Sequence, residues 1–198
     1  MRVSRQLTTS AVLVAGLAIA GHGVAQTASV TGPYAGQQAR AIKSLSPSDI
    51  TGLLEVQGAG HAKAAELNGY PGPAHTLELK QQLGLDAQQV AASEALMASH
   101  KARARALGAA VVEAERTLDD LFAGKQASVE SVDTATREVG VLQAQLRAEH
   151  LATHLAQTAL LDVHQIQRYS VLRGYADAKP AEPAPGRPAP ATSHRQHH

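Results

Sequence analysis

Two histidines one helical turn apart, His150 and His154, are the residues of this sequence best placed to bind a metal ion. On a helix the i, i+4 spacing puts both imidazoles on one face, within reach of a single divalent ion. Nothing in the sequence requires a cofactor. The ion predicted for this pair is a divalent transition metal: zinc, nickel, cobalt or copper. A further ligand is needed, and the candidates are His164 first, then His61, His75 and Glu149. The alternative is two polar residues on a solvated helix face.

A second group of residues combines basic and apolar side chains. Met97, Lys101, Arg105 and Leu107 fall within three turns of one predicted helix. Such a surface could attract an acidic or amphipathic polypeptide and shelter its apolar parts. The alternative is an ordinary solvated helix face. His100 lies among the apolar residues of the same helix, where a structural role is the favoured interpretation.

The elements that must position these side chains are two long helices. Apolar or small residues recur at spacings of three and four from Met97 to Leu121, which predicts one helix over residues 87–123. A second periodic stretch predicts a helix from Val129 to about Leu160, with its apolar stripe at Val129, Val132, Val139, Leu142 and Leu146. The short glycine-containing turn AGKQAS at 123–128 makes the two helices antiparallel neighbours.

A five-residue pattern, Leu-Asp-x-x-Gln, occurs twice, once before each of two predicted helix starts. Aspartate at the N-cap accepts hydrogen bonds from the first turn, and glutamine three residues later reaches back to the N-cap amide. The leucine before each cap can pack against the entering chain. The residues of the two copies are Leu85, Asp86 and Gln89, and Leu161, Asp162 and Gln165.

Short helices are expected on both sides of the long pair, at about 75–83 and 163–173. We therefore predict a long antiparallel helical hairpin with a short hooked helix at each end. Such an open shape buries little surface per residue, so we expect a homodimer. The preceding segment, GAGHAKAAELNGYPGPAH at 58–75, contains a rigid turn at NGYPGP and carries no functional prediction.

Composition favours an all-α fold and excludes several functions. The 198-residue chain has no cysteine, no tryptophan and 3% aromatic residues, which suits closely packed helices. Without cysteine there are no disulfides, thiolate metal sites or cysteine nucleophiles. Because no set of catalytic residues or nucleotide-binding motif occurs in a supporting context, we predict that the chain is not an enzyme.

The two ends of the sequence differ from its middle. Residues 1–25 combine Arg2 and Arg5 with an apolar run too short to span a bilayer, which predicts a cleavable export signal and a periplasmic location; an uncleaved anchor is the alternative. Its removal leaves 16 basic and 17 acidic residues, a balance that does not favour nucleic acid as a partner. We predict a flexible segment at 26–44, a helical domain at 45–176 and a disordered Pro- and His-rich tail at 177–198.

The export signal, the predicted hairpin, the two pentads and the absence of cysteine together resemble the Spy/CpxP family of periplasmic proteins. That family uses Leu-Thr-x-x-Gln twice, and both copies here replace Thr by Asp, at Asp86 and Asp162. The resemblance covers about 75–175. It implies an antiparallel, cradle-shaped dimer, and it places His150 and His154 where the CnrX-like metal sensors carry a ligand pair.

The resemblance implies two functions. The first is a stress-response chaperone that works without ATP and binds non-native client proteins on a concave helical surface. The alternative is a periplasmic metal-binding or metal-sensing protein that serves resistance to zinc, nickel or cobalt. A membrane sensor protein is a further partner that the resemblance implies.

Overall fold

The computed structural model describes residues 32–177. The chain divides into two compact units at Ala35. Of the first unit only residues 32–35 are described, a turn in which the Ala35 N–H donates to the Gly32 carbonyl at 3.0 Å. The predicted export signal at 1–25 and residues 178–198 of the predicted tail lie outside the described residues. No helix between residues 32 and 177 is long and apolar enough to cross a membrane.

The described part of the second unit consists of helices and the loops that join them, without a β-strand, which confirms the all-α prediction. It begins with one 3₁₀ turn, Gln37–Ala39. Seven α-helices follow: α1 Pro47–Glu55, α2 Lys63–Glu66, α3 Pro73–Glu78, α4 Lys80–Leu83, α5 Ala87–Ala123, α6 Val129–Ala159 and α7 Val163–Leu172. The predicted long helices are α5 and α6, and their observed limits fall within one residue of those expected.

The long helices α5 and α6 pack against each other over most of their length. Ser93 contacts Gln157, and Arg103 contacts Glu149, so residue numbers rise along one helix as they fall along the other. The predicted apolar positions meet at this interface, where Ala104, Val111 and Leu146 are buried. Val129 is wrongly placed by the periodicity: it is 91% exposed, because it is the first residue of α6.

The two pentads cap α5 and α7 by the same geometry. Asp86 accepts from the Gln89 N–H at 2.8 Å, and the Gln89 side chain accepts from the Asp86 N–H at 3.1 Å. Asp162 and Gln165 repeat both bonds, at 2.8 and 3.0 Å. Each pentad therefore satisfies first-turn amides that the helix itself leaves without acceptors.

The two pentads also bond to each other. Gln89 Nε2 donates to Gln165 Oε1 at 2.8 Å, and Gln165 Nε2 donates to Gln89 Oε1 at 3.0 Å. Gln89 Nε2 also donates to the carbonyl of Leu160, the residue that follows α6, at 2.9 Å. We call this region, residues 85–89 together with 160–165, the capped end.

The short helices do not lie at opposite ends of the long pair. α4 leads directly into α5, α7 follows directly after α6, and α4 contacts α7. Because α5 begins where α6 ends, both short helices lie at the capped end, and the prediction of one hook at each end is wrong. The physical reason is the antiparallel pairing itself, which brings the start of one long helix beside the end of the other.

Helix α1 crosses the middle of α5 at a glycine. A Cβ on Gly108 would lie 2.2 Å from the Leu53 carbonyl oxygen, so this approach needs a residue without a side chain. Just before α1, Ile42 is buried, and Lys43 and Ser44 bond to Asp119 and Glu115 of α5. Residues 42–44, the last of the segment predicted to be flexible, are thus held against α5.

Candidate functional site

His150 lies at the centre of a row of three imidazoles. Its ring stacks on that of His61 at a centroid distance of 5.1 Å and meets the edge of His100 at 4.6 Å. The three residues come from the loop after α1, from α5 and from α6. Their meeting could not be read from the sequence, because it depends on the path of the α1–α2 segment over the long helices.

His154 does not share this environment. Its Nδ1–H donates to the Tyr70 carbonyl at 2.8 Å, and Glu66 Oε2 lies 3.6 Å from the same nitrogen. The other edge of the ring lies against Gly72, where a Cβ would come within 2.6 Å of Nε2. His150 and His154 are one turn apart, as predicted, but they contact different neighbours.

The candidate third ligands also have partners or positions of their own. His75 Nδ1 lies 2.8 Å from Glu78 Oε2. His164 is exposed in the first turn of α7, where its backbone N–H donates to Asp162 at 2.8 Å. Within residues 32–177 no three His, Asp or Glu side chains are grouped so that they could hold a metal ion.

Burial controls the charge of the imidazole row. It lowers the pKa of His150 to about 4, and the neighbouring His100, His61 and His154 contribute in the same direction. Burial, followed by the charge of Arg147, also lowers the pKa of His61. At neutral pH the central imidazole is therefore uncharged.

A charged cluster supports the row from α6. His100 Nδ1 lies 3.0 Å from Thr153 Oγ1 and 3.3 Å from Glu149 Oε1, and Arg103 Nε donates to Glu149 at 2.9 Å. Burial raises the pKa of Glu149, but the hydrogen bonds from Arg103 and His100 outweigh it and the net shift is downward. Glu149 therefore remains a carboxylate and orients His100.

A second carboxylate, Glu66 of α2, joins three elements and was not singled out by its sequence. It accepts a hydrogen bond from the Tyr169 hydroxyl of α7, and Arg173 Nε lies 3.6 Å away. Burial and the nearby Glu66 carboxylate raise the pKa of Tyr169. No local pattern around Glu66 could have indicated this role, since all its partners are distant in sequence.

The four residues predicted to bind clients do not form one exposed patch. Lys101 is exposed, but Arg105 Nε donates to the Leu54 carbonyl at 3.2 Å, which ties it to α1. Leu107 packs against the buried core, and Met97 lines a cavity of about 570 Å³ beside the imidazole row. Lys101 is therefore the member of this set with the freest side chain.

Two cavities flank the segment that carries His61. The larger, about 720 Å³, lies between α1 and α6, and the smaller lies toward α2 and α3. Val56, Ala59 and the glycines between and after them have positive φ angles, 59° for Val56 and 39° for Ala59. A β-branched residue in this region is strained.

Comparison with known proteins gives no family model that matches the chain, no similar curated protein and no similar solved structure. Any function must therefore be argued from the surfaces and side chains themselves.

An extended apolar surface lies on the side of α6 opposite its buried residues Val139, Leu146, His150, Thr153 and Gln157. Alanine, valine and leucine recur there at spacings of three and four, and all of them are exposed. The exposed fractions of the two largest, Val141 and Leu155, are 51% and 57%. We call this surface the α6 outer stripe; it consists of Val141, Ala144, Ala148, Ala152, Leu155 and Ala159. At 1.5 Å per residue it is roughly 27 Å long.

Proposed function

We propose that the protein is an ATP-independent chaperone of the Spy/CpxP type, which binds non-native polypeptides on an apolar helical surface in the periplasm. The observation that carries this proposal is the α6 outer stripe. Continuous exposed apolar surface is unfavourable in water and commonly marks a protein interaction site. The resemblance of the two Asp-capped pentads to the family motif agrees with it.

The stripe suits a client that has no fixed structure. Its small alanines leave room for side chains of many shapes, while Val141 and Leu155 provide larger apolar contacts. Arg147 and Lys101 are exposed on the two long helices and supply charge that can attract an acidic client before apolar contact forms. Binding of this kind needs no nucleotide, because burial of apolar surface itself supplies the free energy of binding.

A second copy of the chain is the proposed partner in the resting state. Two outer stripes of roughly 27 Å each would cover apolar surface that is costly in a monomer. Multi-angle light scattering after size exclusion tests this part: a dimer is expected, and a monomer at all concentrations would contradict it without affecting client binding.

Suppression of aggregation tests the chaperone proposal. The wild-type chain should suppress light scattering by a chemically denatured client at near-stoichiometric ratio. The double substitution Val141→Gln/Leu155→Gln should require several times more protein. The matched control is Phe122→Gln/Val129→Gln, which removes two other exposed apolar side chains, 54% and 91% exposed, outside the stripe.

Two results would contradict the proposal. One is a wild-type chain that does not reduce scattering at any ratio. The other is an equal loss in the stripe variant and the control, since the stripe would then have no special part in client binding.

Metal binding is a second candidate function, and the i, i+4 placement of His150 and His154 on α6 is the observation that favours it. The remaining ligands would have to come from outside residues 32–177, because no three His, Asp or Glu side chains are grouped there to hold an ion. Neutral imidazoles are ligands for zinc, nickel, cobalt and copper, and His150 is neutral at pH 7 by virtue of its lowered pKa. Calorimetric titration with each metal is the test. His150→Ala/His154→Ala should weaken binding, whereas the exposed His164→Ala control should leave it unchanged. Equal binding by all variants would exclude this pair.

A further inference from the structure

The larger cavity has a floor made of the apolar core. Ala104, Val111 and Leu146 are buried at the centre of the core, and Leu53 and Val56 pack against them while remaining half-buried. All five line the cavity of about 720 Å³ between α1 and α6. We call this cavity the α1–α6 groove.

The groove exists because α1 lies very close to α5. Gly108 allows the Leu53 backbone to approach α5 within the space that a Cβ would occupy. α1 packs mainly on α5, while α6 contacts α5 and α2. The space between α1 and α6 is consequently left open, and its size falls within the ~300–1,000 Å³ typical of sites for small ligands.

Of the two charged side chains that line the groove, Asp49 and Arg147, one has no hydrogen-bonding or ionic partner. Asp49 lines the groove from α1, but its carboxylate already accepts from the Ser46 N–H at 2.8 Å and the Ser46 hydroxyl at 2.6 Å. From α6, Arg147 forms no ion pair or hydrogen bond with any residue in the described part of the chain. The other polar groups are amides, a serine hydroxyl and the histidines His61 and His150.

We propose that the α1–α6 groove binds an anionic amphiphile, a single aliphatic chain whose carboxylate pairs with Arg147 and whose tail lies on the floor of Leu53, Val56 and Leu146. This is a small-molecule site that adjoins the client surface proposed on the α6 outer stripe, and Ala144 lies at the border of the two.

An aliphatic tail fits this floor better than a peptide does. A peptide would bury its backbone N–H and C=O groups against side chains of the floor that offer no hydrogen bonds, and each unpaired group weakens binding. A hydrocarbon chain has no such groups. Each methylene that it removes from water contributes favourably to binding.

The position of the cation explains the preference for an anionic head group. A guanidinium and a carboxylate can form two parallel hydrogen bonds, which are stronger than neutral ones. His150 also lines the groove, where its ring nitrogen can form a hydrogen bond with a bound head group.

Gly140 offers a way to block the groove without damaging the fold. It lines the groove from the middle of α6, and a Cβ added there meets no atom within 4 Å. Leucine also has a higher helix propensity than glycine. Gly140→Leu should therefore fold and fill the groove with its own side chain, which circular dichroism and thermal unfolding can verify.

Calorimetric titration of the full chain with dodecanoate, below its critical micelle concentration, is the test. We expect one site per chain, affinity at least tenfold lower in Arg147→Gln because a charge-assisted hydrogen bond is lost, and no saturable binding in Gly140→Leu. Arg137→Gln is the matched control: it removes another exposed arginine of α6, one paired with Asp133 outside the groove, and should leave the affinity unchanged within twofold. Dodecyltrimethylammonium, with the same tail and the opposite charge, should bind at least tenfold more weakly.

Several outcomes would overturn the proposal. No binding of dodecanoate, equal binding of both amphiphiles, or binding that persists in Gly140→Leu would each do so, the last because the ligand would then lie on another part of the chain. If Gly140→Leu instead abolishes suppression of client aggregation while dodecanoate does not bind, the occupant of the groove is a polypeptide.

Discussion

The capped end and the α1–α6 groove use the same two long helices in opposite ways. At the capped end, two aspartates and two glutamines use their side chains to bond to helix termini and to each other. At the groove, apolar core side chains remain half-buried and Arg147 remains exposed. The polar groups of the capped end bond to one another within the chain. The apolar side chains and the guanidinium at the groove remain accessible to a ligand.

This difference indicates where structure and function lie. The hydrogen bonds at the capped end fix the relative position of α5, α6 and α7, and the side chains that form them are not free to bind a ligand. Accessible apolar surface is retained only at a cost in stability, so it is the better candidate for binding. The repeated pentad, the most distinctive sequence pattern of the chain, therefore belongs to the scaffold.

The largest effect on stability is expected where α1 meets α5. Gly108→Ala places a methyl group 2.2 Å from the Leu53 carbonyl oxygen and should lower the free energy of unfolding by roughly 2–3 kcal/mol. Gly140→Ala is the matched control, because it is also a helical glycine but has open space around it; it should raise stability by up to about 1 kcal/mol. Urea denaturation measures both. The same sign for the two variants would contradict the close approach of α1.

Acidification should weaken the imidazole row and leave the capped end intact. Burial lowers the pKa of His150 from 6.5 to about 4 in the folded protein. The unfolded chain therefore binds a proton that the folded chain does not as pH falls below 6.5, and stability decreases until pH is near 4. The burial of His150 should lower the free energy of unfolding by about 2 kcal/mol at pH 5 relative to pH 7.5.

The variant His150→Gln isolates this contribution. Its free energy of unfolding should depend less on pH between 7.5 and 5 than that of the wild type, by the same amount. His164→Gln, exposed in α7, should keep the wild-type dependence. Parallel pH profiles for wild type and His150→Gln would show that the buried ring is not the titrating group.

The smallest effect expected is the coupling between the two pentads. Gln89→Ala and Gln165→Ala should each destabilise the fold, and the double variant should lose less than the sum because the reciprocal amide bonds are lost only once. A coupling energy of about 1 kcal/mol is expected from a double-mutant cycle. Strict additivity would mean that the two glutamines do not contact each other in solution.

The sequence predicted the local features well, because they depend on neighbouring residues. Periodicity placed the long helices, and the Asp-x-x-Gln spacing placed the caps at Asp86 and Asp162. The mutual bonding of Gln89 and Gln165 was not predicted, since it depends on the side-chain conformations of two residues 76 positions apart in the sequence. The predicted antiparallel pairing itself requires both short helices to lie at the same end of the long pair.

The candidate site was predicted less well, because its contacts are all long-range. The i, i+4 spacing correctly put His150 and His154 one turn apart, but other residues that contact these rings, His61 and Tyr70, come from the α1–α3 region, which has weak periodicity. Gly108 was a partial signal: a glycine in the middle of a long helix is unfavourable by propensity and allows a close approach by another segment, which occurs at Gly108 and not at Gly140.

Hydrogen–deuterium exchange of the full chain, with and without a denatured client, tests most directly whether binding and scaffold are separate. Added protection is expected in peptides covering 141–155, the α6 outer stripe, with no change in peptides covering 85–93 and 160–166 at the capped end. Protection confined to the capped end, or no protection anywhere in α6, would contradict the assignment of function to the exposed apolar surface.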